Sequence, residues 1–242
     1  MFYTSSRCTR YVLLFEGRTG SSYLTTLLDA HPRIHAMKEG LRQFRTRGHD
    51  VQARWVREVF HAPPVSRIGC RGFKTKLRDI ADPEAFSRLL QSEGPRVLFM
   101  RRRNRIKCVV SQIRSRMLKE RTNHYNAYRQ QDRLPPVAIP TALFDRLLRE
   151  RERLDAELES FVEQLDLPRL DIFYEDILID EVALKQRVLE FLGVPHRDTR
   201  AQTFKNTSDD LRESVTNLEA LKANYADTPY EPMFDEVLVR EP

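Results

Sequence analysis

The stretch LLFEGRTGSSYLTTLLDAHPRI, residues 13–34, limits the folds open to this chain more than any other. An apolar run, YVLLF at 11–15, gives way to a short turn of small and polar residues, Gly17 to Tyr23. Leu24, Leu27 and Leu28 then return at the spacing of one helical face, and His31-Pro32 ends the helix. The glycines let the backbone curl, so the amides of Gly20, Ser21 and Ser22 can face an anion at the helix N-terminus. Arg18 adds a full positive charge, and the hydroxyls of Thr19, Ser21 and Ser22 add donors. The same residues also suit a tight turn and a helix start, so the loop alone leaves both readings open. A nucleotide triphosphatase loop would carry a lysine after its second glycine, and here that lysine is absent.

Further apolar runs lie at VLFM (97–100) and LDIFY (170–174), with a weaker one near IGCRGFK, and helical patterns separate them. This alternation predicts an α/β chain: a three-layer, P-loop-like fold with a central parallel sheet flanked by helices. Ile106, Val109, Val110, Ile113 and Met117 repeat the spacing expected of a buried helical stripe, and Leu143, Leu147, Leu154, Leu158, Phe161 and Leu165 are the expected apolar stripe of a later helix. A shorter helix, 182–192, stops at Gly193 with Pro195 beyond. Between about 119 and 140 the chain is polar and aromatic, lacks a clear period and ends in prolines, which predicts a surface excursion. With 242 residues and 40% hydrophobic composition, the chain can bury one substantial core, and a single domain spanning 1–242 is expected.

The charge balance, 41 basic against 35 acidic residues, fits a protein that handles anions but does not by itself indicate nucleic acid. Cys8, Cys70 and Cys108 are odd in number and widely spaced, which argues against a disulfide framework or a zinc site and toward a reducing compartment. The apolar run at 11–15 is too short for a signal segment or a membrane span, so a cytoplasmic protein with no membrane span is expected.

The second informative loop is VLFMRRRNRIKCVVS, where a strand ends in three arginines and a helix carrying Ser111 follows. Together with RTGSSY, this segment resembles the sulfotransferases that use 3′-phosphoadenosine 5′-phosphosulfate, in particular their carbohydrate-type and bacterial branches. The resemblance implies that Arg18, Thr19, Gly20, Ser21, Ser22 and Tyr23 hold the 5′-phosphosulfate, and that Arg103 and Ser111 hold the 3′-phosphate. FYEDIL (173–178) is similar to a Tyr-Glu-Asp segment ending a later strand in many members, and KNTSDDLRESVTN (205–217) to a C-terminal segment of bacterial and carbohydrate members. The set follows the family's order from Arg18 to Asn217. One departure stands out: Arg105 and Lys107 occupy places where the common Arg-Asn-Pro-x-Asp form has proline and aspartate. The FRKG segment of cytosolic small-molecule members is also absent.

The resemblance implies sulfuryl transfer without a metal, and it directs attention to a glutamate shortly after the first helix. Glu39 occupies that place as candidate base, although amid Lys38, Arg42 and Arg45 it also reads as a surface ion-pair partner. His35 is the second candidate base, or a loop side chain, and Lys74 resembles a lysine near the active cleft of related enzymes. Of Arg101 and Arg102, at least one is expected to face solvent. Tyr125, Tyr128, Arg129 and Arg133 are candidates for a saccharide platform or a lid. A P-loop kinase is the rival enzymatic reading and a basic nucleic-acid module the rival from another class; the missing Lys-Ser/Thr pair and the interleaved acids disfavour them. The acceptor is expected to be a small molecule or saccharide, with no nucleic-acid partner, and a homo-oligomer is left open.

Overall fold

The computed structural model describes residues 8–61, 68–123, 134–199 and 208–238. The chain forms two compact units. The first comprises Met1–Arg101 with Glu157–Gln202, and the second Arg102–Ala156 with Thr203–Pro242.

The first unit is built on five parallel strands: β1 (Thr9–Phe15), β2 (Ile34–Met37), β3 (Cys70–Thr75), β4 (Arg96–Arg101) and β5 (Arg169–Phe173). Their order is β2-β3-β1-β4-β5. Strand period 2 sends Tyr11, Leu13 and Phe15 to one face and Val12 and Leu14 to the other, so the central strand is buried on both sides. Helices α1 (Ser21–Asp29), α6 (Tyr174–Ile179) and α7 (Glu181–Leu192) supply apolar side chains to the first face. Helices α2 (His49–His61) and α3 (Pro83–Glu93) cover the second, with Leu158, Phe161, Val162 and Leu165. The expected three-layer arrangement is therefore present in this unit. At Gly193, φ of +70° closes α7 in the left-handed region, as its glycine predicted.

Strand β2 escaped the sequence reading because only Ile34 and Ala36 of its four residues are buried and it lies at the sheet edge. Arg101, at the end of β4, is not a solvent-facing cation. Its guanidinium lies over the rings of Phe99 and Phe173, 4.6 and 4.8 Å from their centroids, and pairs with Glu159 and with Asp171 at 2.7 Å.

In the second unit, α4 (Arg105–Thr122), part of α5 (Thr141–Glu163), α8 (Leu218–Ala223) and α9 (Glu231–Asp235) enclose a separate apolar cluster around Val109, Phe144, Leu221 and Phe234. The excursion expected from about 119 begins later, because α4 continues to Thr122. Leu118 is buried there, and Asn123 at φ +60° caps the helix. Residues 134–140 are tied to the segment after Ser208. Arg114 donates to the carbonyls of Leu134, Pro135 and Ser214 at 2.6, 2.9 and 3.0 Å, and the Asn217 amide exchanges two 2.9 Å bonds with the Ile139 backbone. Tyr125, Tyr128, Arg129, Arg133 and Lys205 lie outside the described residues.

Candidate active site

In a parallel sheet the loops that can gather a ligand lie beyond the carboxyl ends of the strands. At that edge of the first unit stand the turn after β1, Glu39 just after β2, and Lys74 and Lys76 at the end of β3.

The turn is braced from behind. Buried Glu16 accepts from the Gly17 amide at 3.0 Å and pairs with Arg78 at 2.8 Å. The Thr19 hydroxyl donates to the Glu16 carbonyl at 2.8 Å, so its proton is engaged inside the turn. Arg18 and Gly20 adopt φ of +69° and +83°. Gly20 is required twice over, because a Cβ there would sit 2.5 Å from Cδ2 of Tyr174. Helix α1 starts at Ser21, after Gly20, with no side-chain cap bond, so the positive end of the helix lies at this turn. Tyr23 packs against the core on the α1 side of the sheet, and burial followed by a bond to Glu181 raises its phenol pKa. FYEDIL lies at the end of a strand, as the resemblance implies: Phe173 closes β5, and Tyr174, Glu175 and Asp176 open α6, which places the Tyr174 ring behind Gly20.

Three charged side chains join this turn to the neighbouring strands. The Lys74 ammonium, almost fully buried, donates to Ser22 Oγ at 3.0 Å and lies 3.4 Å from Glu39 Oε1. Lys76 donates to Glu39 Oε2 and lies 3.7 Å from Asp79. Both ammonium groups stand 5.1 Å from the centroid of Phe15. Burial pushes the Lys74 pKa down, with Glu39 only partly opposing it. For Glu39, burial acts to raise the pKa, but Lys76 and then Lys74 outweigh it and hold the carboxyl below its ordinary value of 4.5. His35 sits within β2, exposed, between the core-facing Ile34 and Ala36, and has no bond to the turn among the described residues. His31 is a structural residue: its ring bonds the Pro195 carbonyl at 2.9 Å and accepts from the Arg33 amide at 3.1 Å.

Lys74 was singled out from sequence by its likeness to a lysine of related enzymes, and Lys76 is the residue that the sequence reading lacked. The signal for Lys76 was the K-T-K spacing at the end of β3, because alternate strand residues share a face.

In the second unit Arg103 is exposed and immediately precedes Asn104, which caps α4 by accepting from the Lys107 amide at 2.8 Å. The Asn104 side-chain amide also donates to the Met233 carbonyl and to Glu236, at 2.8 and 2.7 Å. Ser111 is buried within α4. The departure at Lys107 is compensated locally, since its buried ammonium lies 3.1 Å from Asp209 and 3.5 Å from Glu236. Arg105 pairs with Asp155 at 3.3 Å.

Among solved structures, the crystal structure of a sulfotransferase from Alicyclobacillus acidocaldarius superposes with a TM-score of 0.51 at 16% identity, over 93% of this chain and 95% of that one. The fold is that of the sulfotransferases, and the family resemblance seen in the two loops stands on it. In sequence, the chain is 24% identical over 242 residues to Nodulation protein H of Rhizobium meliloti, covering 93% of this chain and 94% of that protein. It is 25% identical over 239 residues to Nodulation protein H of Rhizobium tropici, covering 93% and 92%. No protein-family model matches the chain. Among the described residues, no helix is long and apolar enough to cross a membrane.

Proposed function

We propose that this chain transfers a sulfuryl group from 3′-phosphoadenosine 5′-phosphosulfate to a hydroxyl of a carbohydrate or glycolipid acceptor. The observation that carries the reading is Lys74, which connects Ser22 of the turn after β1 to the carboxylate of Glu39. The phosphosulfate end of the donor suits this turn. The left-handed Gly20, the uncapped start of α1, the Ser22 hydroxyl and the Arg18 and Lys74 cations are all suited to anionic oxygens.

In the reaction, the acceptor oxygen forms a bond to sulfur in line with the bridging S–O bond, which breaks and leaves its electron pair on the departing phosphate. Arg18 and Lys74 stabilise the charge that grows there, and the acceptor proton passes to Glu39. The test is transfer of labelled sulfate from the donor to a panel of saccharide, lipid and phenolic acceptors. Incorporation confined to none of them would overturn the proposal.

By the resemblance, Arg103 and Ser111 take the 3′-phosphate. Titration calorimetry should therefore show 3′-phosphoadenosine 5′-phosphate binding at least about tenfold more tightly than adenosine 5′-phosphate, the order expected of charge-assisted hydrogen bonds. Arg103→Ala should weaken only the bisphosphate; equal affinities in the parent protein would remove that role. A sulfuryl group carries less charge than a phosphoryl group, and GRTGSS lacks the Lys-Ser/Thr pair that grips phosphate and magnesium. Turnover should accordingly survive EDTA, whereas loss with recovery on adding magnesium would favour a kinase.

A further inference from the structure

Beside Glu39 a cleft of about 520 Å³ opens, walled by Met37, Lys38, Glu39, Gly40, Arg42, Gln43 and Trp55. We infer that this cleft is the acceptor subsite, and that it takes a saccharide bearing an anionic substituent, with one sugar face on Trp55 and the anion on Arg42 and Lys38. The inference rests on the sulfotransfer reading for the identity of the other substrate, and on the cleft itself for the class of this one.

The wall is built around the indole. Trp55 projects from α2 and is held by the Phe73 ring, edge-on at 5.1 Å between centroids, and by Phe44 at 6.5 Å. Gly40 has an ordinary φ of −72°, so it is not there for backbone freedom. A Cβ at residue 40 would overlap the six-membered edge of the indole. Glycine therefore lets the ring lie against the chain one residue from Glu39. The result is a flat aromatic surface beside the carboxylate that Lys74 ties to Ser22.

The chemistry of the lining selects the ligand. The negative face of an indole attracts the weakly positive C–H face of a pyranose, and sugar hydroxyls match the Gln43 amide and the Glu39 carboxylate. The volume falls in the range of small-ligand sites. The side chains of Lys38, Arg42 and Gln43 are exposed and make no hydrogen bond or ion pair among the described residues. Two uncompensated cations at the rim of a site suit a carboxylate or sulfate on the ligand, and Arg42 can hold either in bidentate fashion. A phenol or steroid would call for an enclosed apolar pocket, whereas this cleft is open and combines Trp55 and Met37 with a charged rim.

Trp55 is the only tryptophan in the chain, so its emission reports on the cleft directly. The protein would be titrated with chondroitin tetrasaccharide, cellotetraose and p-cresol while exciting the indole, and 3′-phosphoadenosine 5′-phosphate binding would be measured calorimetrically on the same preparation. The anionic tetrasaccharide should give a saturable emission change, with cellotetraose weaker. The exposed Arg42→Ala change should weaken the anionic ligand by about tenfold, the scale of one charge-assisted hydrogen bond, and leave the nucleotide affinity unaltered. Trp55→Phe, which keeps an aromatic packing partner, should raise the acceptor Kd measured by calorimetry. Normal nucleotide binding with no emission change from either saccharide would overturn the inference and leave the sulfotransfer reading standing. So would equal affinity for the two saccharides, or preference for p-cresol. Loss of nucleotide binding and of transfer alongside a saturable saccharide signal would instead sink the sulfotransfer reading and keep the cleft.

Discussion

Replacing Glu39 with glutamine should lower kcat by roughly two to four orders of magnitude, the range for loss of a general base, while the affinity for 3′-phosphoadenosine 5′-phosphate stays nearly unchanged. Glutamine keeps the size and can still accept from Lys76, so the difference isolates the capacity to take a proton. The pH profile carries a second signature. Lys76 and Lys74 overcome the effect of burial and hold the Glu39 pKa below 4.5, so the carboxylate form needed for a base persists to lower pH than for an unpaired glutamate. The acid limb of kcat/KM that Glu39 governs should therefore fall below 4.5. The sign for stability is the same. A depressed folded-state pKa contributes stability that is present above the unfolded value and is lost as pH falls through the folded one. With the Glu39 side chain 26% exposed, that contribution is screened, and the kinetic effect dominates. His35→Asn should leave turnover largely intact. If the glutamine variant kept its activity and the asparagine variant lost it, the base would have to be reassigned to His35.

The elements legible in sequence were those whose own residues carry a strong local pattern. Strands β1 and β4 are apolar on both faces because helices cover both sides of the sheet, and such runs announce themselves. Strand β2 has one buried pair in four residues, and its hydrogen bonds come from β3, far along the chain. The helix at 141–163 shows another limit. Its stripe of leucines was visible, yet Phe144, Leu148 and Val162 are buried as well, because the helix serves two apolar clusters rather than one. Within the site, RTGSS was readable because a turn between strand and helix is local. Glu39 could be singled out only through family resemblance, and its link to Ser22 through Lys74 depends on the order β2-β3-β1, which no single segment encodes.

Lys107 illustrates how a departure from a family pattern is accommodated, and it supports the largest stability effect expected here. Its ammonium is buried at 3% exposure, facing an equally buried Asp209 and the partly exposed Glu236. Lys107→Met would fill much of the same volume but remove the buried cation that faces Asp209, and breaking a buried pair from one side costs about 3–5 kcal/mol. Urea unfolding should show a loss of that order, larger than for any exposed pair such as Arg212 with Asp210. Adding Asp209→Asn should recover most of it: asparagine carries no charge to bury, and its oxygen can still accept from the Leu238 amide, as Asp209 does at 2.6 Å. Glu236, at 31% side-chain exposure, can turn toward water. Stability that is additive across the two substitutions, with no recovery in the double variant, would show that Lys107 acts through packing alone. Recovery would show that the cation at this position and the acid at Asp209 form one unit, so that the proline-and-aspartate form of the loop is replaced here by a pairing between α4 and the C-terminal segment.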